Sequence, residues 1–166
     1  MKKRGIIAIV CVFLLTLLDQ TVKYLINAKM TLGESIPVIN DVFHITYIHN
    51  SGAAWGSLKG KKIFLIIITI LILAALIYFY IKMIKADVFK DLRILVIFII
   101  SGALGNMIDR IRLGYVIDMF DFCLINFPVF NVADIYVTCS MIILLILIIF
   151  KYKEKDFDVL FGKKEP

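Results

Sequence analysis

Four runs of apolar residues, each long enough to cross a lipid bilayer, constrain this chain more than anything else in it. They cover residues 5–26, 63–81, 94–113 and 132–150, and a spanning helix needs about 20 mostly apolar residues. In hydrocarbon each backbone N–H and C=O has to be bonded within its own segment, so runs of this length read as α-helices. Hydrophobic residues make up 61% of the 166, too many for a soluble domain of this size. The reading is an all-α membrane protein with four transmembrane helices, one integral domain spanning residues 1–166. An even number of spans puts both termini on one side.

Basic residues set the direction. With a cytoplasmic N-terminus, twelve Lys and Arg fall on the inner side, from Lys2, Lys3 and Arg4 to Lys163 and Lys164. Seven fall on the outer side, Lys59, Lys61 and Lys62 among them. Both ends are therefore expected in the cytoplasm, with residues 151–166 as a solvated tail. The net charge of +6 is then an imprint of topology, with some attraction to anionic lipid heads. No basic stripe on a soluble domain points to nucleic acid. The opening "MKKRGIIAIVCVFLLTLL" has the basic and apolar regions of a signal peptide. No small-x-small cleavage site follows, and the run continues as "DQTVKYLI", so a retained first helix is expected.

The outer segments, 27–62 and 114–131, are longer than the inner link. In "VFHITYIHN" the residues Phe43, Ile45 and Tyr47 alternate with His44 and Thr46, which is a strand pattern. Residues 114–131 hold short apolar pieces, "YVIDMFDF" and "FPVFN". A small β-containing cap on the outer face follows. The three cysteines suggest no disulfide framework, and Cys123 lacks an activating base nearby in sequence.

Polar groups near membrane depth gather at one level. Asp19 and Lys23 are four apart near the outer end of the first helix, on one face. Asn106, Asp109 and Arg110 end the third helix, and Asp134 sits just inside the fourth, with Asp118 and Asp121 in the adjoining segment. An acidic group at the bilayer centre costs about 2.5–3.5 kcal/mol; even nearer the surface such groups need partners or water. A shared, partly wet site is the economical explanation. Zinc-type spacing, a nucleophile elbow and a phosphate-cradling loop are all absent from the sequence. Carboxylates remain, and two held close share a proton and act as base and acid around a water. Asp118 and Asp134 are the best-placed pair. Plain structural alternatives stand beside this. Asn131 and Asp134 would serve as a helix cap, Asp118 as a turn residue bonding its own backbone, and Asp109–Arg110 and Asp19–Lys23 as ion pairs.

Four blocks, in order, resemble the pattern of lipoprotein signal peptidase (signal peptidase II), the bacterial aspartyl membrane protease family. Asp19-Gln20-Thr21-Val22-Lys23 is similar to its "DQXTK", and Asn50-Ser51-Gly52-Ala53-Ala54 to its "NXGAA". Gly105 to Asp118 resembles "GNXXDRXXXGXVXDF", and Phe130 to Asp134 resembles "FNXAD". Two positions depart from it: Met119 stands where Phe is usual, and Ile135 where Ser is frequent. The resemblance implies a catalytic dyad of Asp118 and Asp134. It implies that Asp19, Lys23, Asn50, Gly52, Asn106, Asp109, Arg110 and Asn131 shape the site or bind substrate. It implies an endopeptidase that cuts a diacylglyceryl-modified prolipoprotein just before its lipidated cysteine, in the bacterial cell membrane near the extracytoplasmic face. No metal or cofactor is expected, and the partners are lipid-modified substrates and membrane lipids, with the chain acting as a monomer. A small proton-coupled transporter component is the rival reading, since intramembrane acids also mark ion pathways.

Overall fold

The structure is a computed structural model in which residues 2–52, 58, 60–85, 89–153 and 156–158 are described. Ala53, Ala54 and Lys59 lie outside the described residues, as does most of the expected tail. The elements run α1 (Lys2–Lys29), β1 (Ser35–Ile39), β2 (Phe43–Asn50), α2 (Lys62–Lys85), α3 (Lys90–Arg112), β3 (Val116–Asp121) and α4 (Val132–Phe150). A short 3-10 turn, Cys123–Ile125, follows β3.

All four helices are long and apolar enough to cross a membrane. The fourth has the expected bounds. The other three extend further, through Lys2, Lys3 and Arg4, through Lys82 and Lys85, and through Lys90 and Arg93. Counting apolar residues excludes these positions, yet Lys and Arg are good helix formers and their stems lie along apolar surface while the charge reaches water.

Helix α3 is the hub on which α1, α2 and α4 rest. Its Leu92, Leu95, Val96 and Ile100 pack with Leu73 and Met83 of α2 and with Phe89 to form the main core. The other helices turn apolar side chains outward, for example Ile9 at 72% and Phe150 at 83% exposure. Such a surface would drive aggregation in water and is the expected one against hydrocarbon.

At one end of the bundle sits a three-stranded antiparallel sheet, ordered β1-β2-β3. Strand β2 is the one its alternation predicts. Helix α1, 28 residues and so about 42 Å long, outruns a hydrocarbon core of about 30 Å. Its last turns meet the sheet, where Val22, Ile26 and Met30 pack against Tyr47, Ile117 and Met119. Strand β3, which the sequence shows only as an apolar piece, is buried from Val116 to Met119. Ile117 and Met119 point to α1, so Val116 and Asp118 point the other way, as strand alternation requires.

Candidate active site

Two local devices bring the two aspartates together. The first is the turn out of α3. Gly114, with φ +88, holds the left-handed conformation just past the helix end and donates its N–H to the Arg110 carbonyl. The chain thereby reverses into β3, where Asp118 stands opposite Ile48 of β2. The second is a clasp between β3 and the approach to α4. Met119 and Phe120 both donate N–H bonds to the Phe130 carbonyl, at 3.0 and 2.8 Å, and Phe130 donates back to Phe120. One residue after Phe130, Asn131 caps α4, and three later comes Asp134.

Asn131 joins the pair directly. Its side-chain N–H2 donates to Asp118 Oδ1 at 2.6 Å, and its backbone N–H donates to Asp134 Oδ2 at 3.1 Å. Its own Oδ1 accepts from the Asp134 N–H at 3.0 Å, closing a reciprocal cap. The other carboxyl oxygens are also met: Asn50 donates to Asp118 Oδ2 at 3.0 Å, and Asn106 to Asp134 Oδ1 at 2.8 Å. Both aspartates line one cavity of about 340 Å³, together with Asn50, Asn106, Arg110 and Thr138. Val116 and the segment from Phe127 to Phe130 form its apolar wall.

Asp118 is 1% exposed. Burial, and then the negative charge of Asp134, push its carboxyl up to about 7, against the opposing donors Asn50 and Asn131. A carboxyl of this kind is protonated in a large share of molecules near neutral pH and can give that proton away. Asp134 sits in the first turn of α4, where the helix dipole stabilises negative charge. Two carboxyls in one cavity, one of them held well above the usual carboxylate range, form a pair that can exchange protons with a water. Among the described residues no three His, Cys, Asp or Glu side chains converge as metal ligands.

Behind the pair lies a buried ionic network. Lys23, 2% exposed, reaches Asp19 and Asp109, each at 2.9 Å. It also donates to Asn106 Oδ1 at 3.0 Å, an oxygen that accepts from Asn131 as well. The ammonium therefore fixes which way the Asn106 amide points, with its N–H2 toward Asp134. Asp19 accepts from the Ala133 N–H at 2.9 Å, tying α1 to the start of α4. Asp109 accepts from the Ile117 N–H, tying α3 to β3. Isolated charges would be very costly here; paired and fully bonded ones are tolerated.

All ten residues singled out in the sequence thus fall in or around one site. Asp19–Lys23 is an ion pair as its spacing suggests. Asp109 turns to Lys23 rather than to Arg110, because neighbours in a helix do not face each other. Arg110 instead donates to the Gly52 carbonyl at 3.0 Å, fastening the Asn50–Gly52 turn to α3. Asp118 is a strand residue, not a turn residue bonding its own backbone. Asp121 accepts from Thr46 and does not line the cavity. Both departures from the family pattern lie off the site: Met119 faces α1, and Ile135 is 39% exposed. Sequence reasoning passed over Gln20, whose amide bonds Asp19, the Gly105 carbonyl and Asp109. It also passed over Thr138, although four residues beyond Asp134 is the same helical face.

Known proteins resemble this chain along most of its length, in sequence and in fold. The sequence model of signal peptidase (SPase) II matches residues 11–150. A lipoprotein signal peptidase of Halothermothrix orenii is 44% identical over 82% of this chain and 91% of its own. One from Streptococcus pyogenes serotype M1 is 40% identical over 95% of this chain and 99% of its own. Two solved structures described as a bacterial membrane enzyme, both obtained by the in meso method, are each 37% identical. The first, at 2.3 Å resolution, superposes with a TM-score of 0.76 and covers 96% of this chain and 92% of its own. The second, at 1.9 Å, superposes with a TM-score of 0.74 and covers 87% and 94%.

Proposed function

The chain belongs to the signal peptidase II family, and from that premise we propose that it is an aspartic endopeptidase with Asp118 and Asp134 as its dyad. Its substrate is a diacylglyceryl-modified prolipoprotein, cut just before the lipidated cysteine. The observation that carries the catalytic reading is the meeting of two distant aspartates at one buried cavity, bridged by Asn131. The transporter reading has no support from the family.

Asp134 takes a proton from a water in the cavity as that water attacks the scissile carbonyl. Asp118 gives its proton to the carbonyl oxygen. On collapse of the resulting diol, Asp134 returns its proton to the leaving nitrogen and Asp118 recovers one from the hydroxyl, so the pair ends as it began. Titration belongs to the pair, although the deep burial of Asp118 favours it as the resting proton holder. A lipidated peptide leaves the bilayer only at a cost of about 0.8 kcal/mol per CH2, which favours a protease that works at lipid depth. The wall from Phe127 to Phe130 offers such a substrate an apolar surface beside the acids.

The distribution of Lys and Arg supports cytoplasmic termini, with the cap and dyad at the extracytoplasmic face of the bacterial cell membrane. Both acids come from one chain, which favours a monomer as the working unit. The test is gel-shift cleavage of a lipidated precursor by the purified protein. Asp118→Asn and Asp134→Asn should each abolish cleavage while the variants stay folded and still retain precursor. Cleavage surviving in either variant at near the parent rate would remove that aspartate from the mechanism.

A further inference from the structure

On the side of α3 away from the dyad, α1 and α2 leave a groove between them with α3 as its floor. It has a volume of about 570 Å³ and is lined by Ala8, Val12 and Thr16 of α1, Tyr80 and Ile84 of α2, and Leu104 of α3, among others. On α1 it runs from Gly5 to Thr16, about 17 Å at 1.5 Å per residue. That is close to half of a hydrocarbon core of about 30 Å, the depth of one leaflet. At its inner end Thr16 donates to the Ser101 carbonyl.

Shape and charge decide between occupants. A volume of 570 Å³ over about 17 Å gives a mean cross-section of about 34 Å². A helix with side chains is about 10 Å across and needs about 80 Å², so a second helix does not fit within it. An extended hydrocarbon chain does. At the mouth, beside Gly5 and Ile84, the exposed Lys2, which borders the groove side of α1, stands at the same end of the bundle as the exposed Lys85 of α2. Asp91, near this end of α3, is bonded to Lys151.

We propose that this groove is a binding site for one acyl chain of an anionic phospholipid whose headgroup lies against Lys2 and Lys85. The chain fills the space between α1 and α2, and the headgroup phosphate is held at the basic mouth. The site is separate from the dyad cavity, and its occupancy is read without substrate, so its failure would leave the proposed reaction untouched.

The experiment is native mass spectrometry of the purified, delipidated full chain, titrated with phosphatidylglycerol and with phosphatidylcholine of the same acyl composition. One phosphatidylglycerol should be retained in preference. A basic residue near an anionic headgroup is worth about fivefold in binding, so Lys2→Gln/Lys85→Gln should cut the preference about 25-fold. Both changes are at exposed positions and leave the core intact. Ala8→Phe, which fills the groove, should displace both lipids. Equal retention of the two lipids, or a preference untouched by the double variant, would overturn the headgroup assignment. Lipid retained in full by Ala8→Phe, or a photo-crosslinker at Val12 that captures a second copy of the chain instead of lipid, would overturn the groove.

Discussion

Replacing Asn50 by Ala should move the pH dependence of cleavage, and in a defined direction. The Asn50 amide donates to Asp118 Oδ2 at 3.0 Å and so favours the ionised carboxyl. Burial and Asp134 work against it, and the balance leaves Asp118 at about 7. If Asp118 must carry a proton to act as the acid, kcat/KM falls as pH rises through about 7. Deleting the amide removes a bond to a charged group, worth about 1.5–3 kcal/mol. At 1.36 kcal/mol per pH unit that is about one to two units upward. Asn50 is half-buried, so water replaces part of the lost bond and the shift should be near one unit, moving the alkaline limb to about 8. The assay is kcat/KM for a lipidated precursor in micelles from about pH 5 to about pH 9. The rate at the optimum is free to fall, because the position of the limb is independent of its height. Tyr47→Phe, which alters the cap without touching Asp118, should leave the limb in place. A limb that stays put or moves to lower pH in Asn50→Ala would show that a protonated Asp118 is not the acid.

Lys23→Met would strip the one ammonium from two buried carboxylates, and unpairing a buried charge costs about 3–5 kcal/mol. Thermal unfolding should show a large loss, partly recovered by adding Asp109→Asn. Asn131→Ser keeps an oxygen to cap α4 but loses the donor to Asp118. The stranded Asp118 oxygen should cost about 1–3 kcal/mol of stability, and kcat/KM measured on the folded variant should also fall. Unchanged kcat/KM in the folded variant would instead make Asn131 only a cap. Gly105→Ala would drive a methyl onto the Asp19 carboxyl, whose carbon lies only 3.1 Å from the added atom. About 1–3 kcal/mol of stability should go with it, read as a lower unfolding temperature.

The spans were legible because hydrocarbon leaves the backbone one local solution, and an apolar run announces it. Strand β2 was legible because its apolar residues alternate, and two of them, Ile45 and Tyr47, pack together in the cluster with α1. Strand β3 was not, because Val116 to Met119 are buried on both faces; its inward Asp118 interrupts the apolar run and resembles a turn. That these residues gather in one place was legible from motif blocks, their wiring only in part. Spacing along one helix paired Asp19 with Lys23. Nothing in the order of residues says that Lys23 also reaches Asp109 on α3, since that depends on how the two helices pack.

The sequence leaves open whether Asn131 and Asp134 form a helix cap or part of a catalytic site; the cap is present, and its geometry leaves room for the proposed catalytic role. The cap uses Asn131 Oδ1 and the two backbone N–H groups, with Asp134 Oδ2 as the return acceptor. That leaves the Asn131 N–H2 for Asp118 and Asp134 Oδ1 for Asn106. Capping fixes both side chains in one geometry, and the same constraint aims their remaining atoms at the cavity. A cap also places Asp134 where the helix dipole stabilises its charge. The negative charge of Asp134 is in turn one of the two causes that push the Asp118 carboxyl up to about 7. The proposed dyad would therefore draw its asymmetry from an ordinary helix start set against a buried strand residue.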